Sequence, residues 1–455
     1  MKRIGKYIVR GLLGRGGMSK VFKVEIPPIG KIVALKLLEP HPVLVNVLGA
    51  ARIRDLFLAE ATTLARLQHP HIVAIRDFDE AGGRPFYIMD YFFSNLGLLL
   101  GESRRTEEPS RTVRLDRAID LIRQTLSGLA CLHHHGIIHR DIKPFNLLLN
   151  EQGVVQICDF GLSRLRGEPV TTPHHLKVGS PWYAAPEQEA DPDGVDARAD
   201  LYAVGVTLYR MLTGMLPAPE PLPPSALNPD LDAAWDAFMQ RALARDPRER
   251  FSSAEAMDDS LKHLERVWQD QRARICMLAP PPEGARPEGP HPLPPRRVAL
   301  KIDPRQARAD FGADGLWRPA AFVQNDLHSP APGLLRDDAT GLTWQQSGSP
   351  YPLTWPEARD YAAALNRRRF AARAGWRLPT APELMSLLSP TPHREAFCVE
   401  PLFDPVQDTL WSADRRSYTA AWFVNVAMGF VAGQDFSARC HVRAVCDEIE
   451  DRFEV

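Results

Sequence analysis

About a third of the way along the chain two carboxylates, an amide and a lysine gather. Asp141, Lys143 and Asn146 lie in the run His139-Arg140-Asp141-Ile142-Lys143-Pro144-Phe145-Asn146, and Asp159 follows in Asp159-Phe160-Gly161. The elements that must position them are two short apolar strands, Leu147-Leu148-Leu149 and Val154-Val155-Gln156-Ile157-Cys158. Asn150-Glu151-Gln152-Gly153 is the polar, glycine-ended turn that a hairpin between them needs. The acids and the amide therefore sit on loops at the ends of one hairpin, where buried strands hold them rigidly. Phosphoryl transfer needs such an arrangement, because there a protein mostly positions groups and neutralises charge.

An isolated Asp-Phe-Gly would mean an ordinary turn. A block of this length in register with a second motif across a hairpin is more specific, and it resembles the catalytic and metal-binding loops of eukaryotic-like protein kinases. The resemblance implies that Asp141 orients a substrate hydroxyl and accepts its proton. It implies too that Asn146 and Asp159 hold Mg2+ against the phosphates of ATP. Lys143, two residues after Asp141, resembles the serine/threonine-specific branch.

Upstream, the strand-like runs Tyr7 to Leu13 and Val21 to Val24 flank Gly14-Arg15-Gly16-Gly17-Met18-Ser19. Glycines let backbone approach phosphates closely and offer them N–H groups. No Gly-Lys-Ser/Thr follows, so this is not a Walker A loop. It resembles the glycine-rich loop of kinases, with Ser19 in the third glycine position. Ile32-Val33-Ala34-Leu35-Lys36-Leu37 is an apolar strand with one lysine, which is costly unless paired. Its natural partner is Glu60, in the helical pattern from Phe57 to Leu67. In kinases this lysine binds phosphates and the glutamate steadies it. His41 to Ala51 has no clear assignment and connects the two. Tyr87-Ile88-Met89-Asp90-Tyr91-Phe92 resembles the strand that runs into the kinase hinge. Adenine would pair there with backbone of Asp90 to Phe92, with Met89 guarding the back pocket, and Val21 and Ala34 belong to the same ATP-binding set. Glu102 to Arg111 is polar and reads as a loop insertion.

A helix from Leu115 to His133 leads into the catalytic loop. His133-His134-His135 is not read as a metal site, since adjacent helix residues point in different directions and no further ligands stand at zinc spacing. After Gly161, the segment Gly179-Ser180-Pro181-Trp182-Tyr183-Ala184-Ala185-Pro186-Glu187 resembles the end of a kinase activation segment. Ser180 would bond Asp141 and Lys143. Phosphate on Thr171 or Thr172 would pair with Arg140 and order the segment. Asp200, at the start of an apolar helix, would hold the catalytic-loop backbone, and Arg250 would pair with Glu187 as a buried structural ion pair.

The composition agrees with this chemistry. The chain has 455 residues, 44% of them apolar and 24% charged, with a net charge of −1. Two or three domains are expected, and no nucleic acid bound by bulk charge. No apolar run reaches membrane-span length. Six dispersed cysteines without a Cys-x-x-Cys pair, and a polar start, point to the cytoplasm. Half the residues from Pro280 to Pro295 are proline, which favours an extended spacer.

Beyond it, Thr354-Trp355-Pro356-Glu357 and Thr380-Ala381-Pro382-Glu383 read as capped helix starts. Tryptophans recur at 344, 355, 376, 411 and 422, as core or as an aromatic binding surface. The order of these elements is similar to the Lcl (DUF1566) domain, a C-type-lectin-like fold related to formylglycine-generating-enzyme modules. The expected architecture is α+β: a bilobal protein kinase fold over residues 1–270, a proline-rich linker and connecting segment over 271–333, and a small α+β C-type-lectin-like domain over 334–447. The expected function is a serine/threonine kinase using ATP and Mg2+ on a protein substrate, with an unknown ligand for the C-terminal domain. Two alternatives stand beside it. One is a pseudokinase scaffold, which would need a lost Lys36, Asp141, Asn146 or Asp159. The other is a diversified ligand-binding protein, variable near Trp422 to Val445, with an accessory kinase.

Overall fold

The computed structural model describes residues 2–102, 106–160, 164–165, 182–192, 194–278, 295–390, 398–404 and 407–447. They fall into two compact units divided between Pro282 and Glu283. Gly161, Thr171, Thr172 and Ser180 lie outside the described residues.

In the first unit, β1 (Tyr7–Arg15), β2 (Ser19–Ile26), β3 (Lys31–Leu38), β4 (Ile75–Ala81) and β5 (Arg84–Asp90) form an antiparallel sheet. The order is β1-β2-β3-β5-β4, with a short strand Arg3–Ile4 on the outer edge of β1. Side chains alternate between faces along a strand. Val24, Val33, Leu35, Leu37, Phe86 and Ile88 therefore build one buried face. Lys36, between Leu35 and Leu37, must point to the other. That face is covered by α1 (Ala50–Arg66), whose buried residues Ile53, Phe57, Glu60, Ala61 and Leu64 recur at helical spacing. The helix starts seven residues before the expected pattern at Phe57. A short helix, Pro42–Leu48, precedes it, and Gly49 at φ 80° makes the break between them, a conformation that disfavours any residue with a Cβ.

Below the sheet, α2 (Leu115–His134) buries Ala118, Ile119, Ile122, Leu126 and Leu129 along one stripe. The hairpin pairs β6 (Leu147–Leu149) with β7 (Val155–Ile157) in the register Leu147↔Ile157. Its turn is closed by Gly153 at φ 73° and by Asn150 Oδ1, which accepts from the N–H groups of Gln152 and Val154. Among the described residues, the longer helices of this part are α3 (Arg198–Thr213), buried along nearly its whole length, α4 (Ala233–Ala242) and α5 (Ala254–Leu278), with short ones at Leu96–Leu100, Glu187–Ala190 and Pro224–Leu227.

The described residues of the polar stretch from Glu102 to Arg111 form a loop, as expected, and its two ends are anchored in the fold. Glu102 and Arg210 of α3 form an ion pair of 2.8 Å with both side chains buried. Arg210 also donates to the carbonyls of Thr106 and Glu108. Arg111, buried, donates to Leu98 O and Leu99 O. At Glu102 and Arg111 polarity serves internal pairing, while Glu107 and Glu108 are exposed.

Among its described residues the second unit has two antiparallel sheets, two longer helices and a short one, Ala307–Asp310. A short strand, Leu327–His328, leads a sheet of β8 (Leu334–Asp337), β9 (Leu342–Gln345) and the last strand, Val445–Asp447. Helices α6 (Trp355–Arg367) and α7 (Ala381–Ser386) each begin with a Thr–Glu capping box, at Thr354/Glu357 and Thr380/Glu383. β10 (Thr409–Arg415), β11 (Ala420–Asn425) and β12 (Phe430–Asp435) form the second sheet, and Val445–Asp447 is β13.

Two expectations change here. Residues from Arg296 onward belong to this unit and are not connecting segment up to 333. Ile302, Ala307 and Phe311 are in its core, and Asp414, fully buried, accepts from the Arg296 guanidinium and from the N–H groups of Leu300 and Ala381. In the first unit, α5 runs on to Leu278, past the boundary at 270. All five tryptophans are core: Trp344, Trp355, Trp376, Trp411 and Trp422 are at most 8% exposed. Most of Trp422 to Val445 is buried with them, which is poor ground for a variable binding surface.

Candidate active site

The strand alternation that turns Lys36 away from the sheet's apolar face brings its ammonium to Glu60 Oε1 at 2.7 Å and to Asp159 Oδ1 at 3.0 Å. Burial by itself would lower the lysine pKa. The facing Glu60, Tyr87 and Asp159 outweigh it and hold the value well above that of a free lysine. Asp159 is held below the usual carboxylate range, chiefly by the Lys36 charge. Helix, sheet and hairpin thus each place one member of a three-group cluster.

One carboxylate organises the loop that carries Asp141. Asp200 of α3, buried, accepts from the backbone N–H of His139 at 2.9 Å and of Arg140 at 2.7 Å. Its Oδ2 also meets His133 Nε2 at 2.8 Å. Burial pushes the Asp200 pKa up, but the His133 bond, with His133 and His139 facing it, brings the net value below normal. His139 Nδ1 in turn accepts from the Asp141 N–H, and His139 Nε2 is 3.1 Å from Cys158 O, so the ring ties the two loops together. Arg140 and Asp159 are both left-handed, at φ 67° and 63°, a conformation that costs about 1–3 kcal/mol for a residue with a side chain. The Asp200 and Lys36 contacts hold them there.

Asp141 is clamped on one side. Lys143 Nζ is 2.6 Å from its Oδ2, and Asn146 Nδ2 donates to the same oxygen at 3.0 Å and to Asp141 O at 2.8 Å. The amide nitrogen of Asn146 being used, its oxygen is the atom it can offer to a cation. Further down, Arg250 binds Glu187 in a fork, at 2.7 and 2.8 Å, and donates to Ala244 O, Arg198 O and Arg245 O.

Above these groups, Gly14 and Gly16 belong to the β1–β2 hairpin, with Gly16 N–H on Ser19 O at 2.8 Å. An added Cβ at Gly14 would meet nothing within 4 Å, and at Gly17 only Leu44 at 3.8 Å. Val21 pairs with Lys36, and Ala34 with Met89, in the sheet register. The Asp90 side chain is taken by Arg76, so backbone is what Asp90 to Phe92 can present. The Arg140 guanidinium lies against Pro192 O and Val195 O.

Three partners carry little signal in sequence. Tyr87 donates to Glu60 Oε1, yet a tyrosine in an apolar strand looks like core. His133 is one of three adjacent histidines, and only the helix phase shows which one faces Asp200. Tyr183 bonds Glu102, which ties the stretch before Glu187 to the buried Glu102–Arg210 pair.

The family model described as protein kinase domain matches residues 7–262. The chain belongs to the protein kinase family. A second family model, the Lcl C-terminal domain, matches residues 333–446. Among relatives, the kinase is 34% identical over 303 residues to serine/threonine-protein kinase PksC of Streptomyces coelicolor, covering 62% of this chain and 53% of PksC. It is 35% identical to serine/threonine-protein kinase pkn3 of Myxococcus xanthus, covering 57% and 50%. It is also 35% identical to serine/threonine-protein kinase PknB of Mycobacterium tuberculosis, covering 55% and 42%. The chain spans about half the length of the curated relatives it matches. Among the described residues, no helix of the kinase is long and apolar enough to cross a membrane.

The family implies ATP and a divalent cation. The residues present suit both. The donor set of Asp159 carboxylate and Asn146 amide is all oxygen, as a hard cation shared with phosphates requires. The loop glycines leave open the space that a side chain would fill.

Proposed function

We propose that the chain is a serine/threonine protein kinase that transfers the γ-phosphoryl group of ATP to protein hydroxyls. The observation that carries this is the Asp141 clamp. Lys143 and Asn146 both engage Oδ2, which leaves Oδ1 as the acceptor for a substrate proton. Lys36, steadied by Glu60, would meet the α and β phosphates, and backbone N–H groups around Gly14, Gly16 and Gly17 would cover them. Val21, Ala34, Met89 and the backbone of Asp90 to Phe92 would frame adenine. Asn146 and Asp159 would hold Mg2+, which supplies charge neutralisation on the phosphates when bound. The chain's own work is to orient the hydroxyl, accept its proton at Asp141 and balance negative charge with Lys36 and Lys143. Ser180 would bond Asp141 and Lys143, and Thr171 or Thr172, once phosphorylated, would pair with Arg140. Asp200, Glu187 and Arg250 keep the loops in place.

For the second unit we propose a C-type-lectin-like fold that senses a ligand or recruits the protein substrate. Its β9 pairs with both β8 and β13, which holds residues far apart in the chain together and leaves the exposed loops to bind. The kinase domain, linker and C-terminal domain would divide near residues 278 and 295.

The test is transfer of labelled phosphate from ATP and Mg2+ to the protein itself or to a basic protein substrate, followed by phosphoamino-acid analysis. Phosphoserine or phosphothreonine is expected. Asp141→Asn and Asp159→Asn each remove one charge and keep the shape. Both should abolish transfer while the thermal midpoint is kept, and robust transfer by both would reject the assignment.

A further inference from the structure

Glu60 has a second buried partner that the phosphate-binding role of Lys36 does not explain. Tyr87 lies directly across the sheet from Lys36 in the β3–β5 register. Its hydroxyl donates to Glu60 Oε1 at 2.9 Å, the oxygen that Lys36 reaches at 2.7 Å. Its ring lies 5.3 Å from that of Phe57, one turn before Glu60 on α1. Tyr87 is 2% exposed, so this bond does not compete with water. The O–H···O bond to a carboxylate is among the stronger kinds, and stronger still where the surroundings are dry.

Two donors on neighbouring strands therefore converge on one carboxylate oxygen. Lys36 alone would leave Glu60 free to swing about a single contact. The ammonium must also turn to meet phosphate, so the glutamate needs a hold that does not move with it. Tyr87 is fixed by the sheet backbone and by Phe57, and provides that hold. We propose that Tyr87 is a positioning residue which acts through Glu60 to set Lys36 for the nucleotide phosphates. This rests on the reading of Lys36 as the phosphate ligand. Burial raises the Tyr87 pKa well above its usual value, so the hydroxyl keeps the proton it donates.

A double-mutant cycle on the full chain separates this role from packing. Tyr87→Phe deletes only the hydroxyl and keeps the ring against Phe57. Two quantities are read in the wild type, Tyr87→Phe, Glu60→Ala and the double variant: the Kd of a fluorescent ATP analogue with Mg2+, and kcat/KM for ATP. In the wild-type background Tyr87→Phe should weaken both by about tenfold, the size expected of one hydrogen bond to a charged group. In the Glu60→Ala background the same change should move them by less than about twofold. An equal loss in both backgrounds would show that Tyr87 acts without Glu60 and would overturn the proposal, as would no loss in either. A wild type that binds the analogue but transfers no phosphate would reject the kinase reading, while the cycle in Kd still decides Tyr87. A wild type that binds no nucleotide overturns both.

Discussion

Gly14 keeps an ordinary backbone, with no left-handed φ, and a Cβ placed there touches nothing. Its lack of a side chain is therefore not needed by the fold, and only a ligand arriving over the hairpin would require it. Gly14→Ala should leave stability unchanged or raise it by about 0.4–1 kcal/mol, through a less flexible unfolded chain. Nucleotide affinity should fall. A denaturant melt and a nucleotide titration on the same sample check both halves, and unchanged affinity would remove Gly14 from the phosphate site. At this scale much of the site was legible in sequence. Lys36, Asp141, Asn146 and Asp159 are chemically odd for their surroundings and stand in register with one another. Tyr87 and Glu102 were not legible, because what they do depends on which side chain another element brings to them. An acid in a polar run gives no sign that its partner is a buried arginine on α3.

Helices and strands were readable where caps and alternation coincide, as at Thr354, Thr380 and the β6–β7 hairpin. They were misread where composition was the only guide. The run from Glu102 to Arg111 is rich in charge, and nothing in it shows that Glu102 and Arg111 are anchored in the fold while Glu107 and Glu108 stay exposed. The start of α1 was hidden because Ala50 to Asp55 carries one large apolar residue, Ile53, and Gly49, which makes the break, resembles any loop glycine. Between elements, the Arg250–Glu187 fork has the clearest energetic consequence. Arg250 is fully buried at its side chain and satisfies three carbonyls besides the carboxylate. Arg250→Met keeps the bulk but leaves Glu187 and those carbonyls without their donor. It should destabilise the first unit by about 3–5 kcal/mol, as when one member of a buried pair is removed. Chemical denaturation followed by fluorescence measures it, and a loss below about 1 kcal/mol would mean that solvent reaches the site.

On the scale of the whole chain, each unit has its own core. The sheet of the first is built around Leu35 and Phe86, and the second is built around Trp344, Leu384 and Val424. Calorimetry of the full chain should therefore show two transitions, and Arg250→Met should lower one and leave the other in place. A single transition shifted as a whole would mean that the units unfold together. Length and the proline-rich stretch were enough to foresee two cores. They could not show that Arg296 and Ile302 already belong to the second, because the signal is a buried Asp414 more than a hundred residues away.

Asp200 binds two consecutive loop amides to the most deeply buried helix of the first unit. Those N–H groups can meet solvent deuterium only when that carboxylate lets go, and it is held in turn by His133 on α2. Amides in a loop ordinarily exchange through small local openings. At His139 and Arg140 the opening needed is one that separates α3 from the loop, so their protection should rank with that of the helices. The backbone that carries Asp141 thus inherits the lifetime of the core, and the groups around it can rearrange many times before it does.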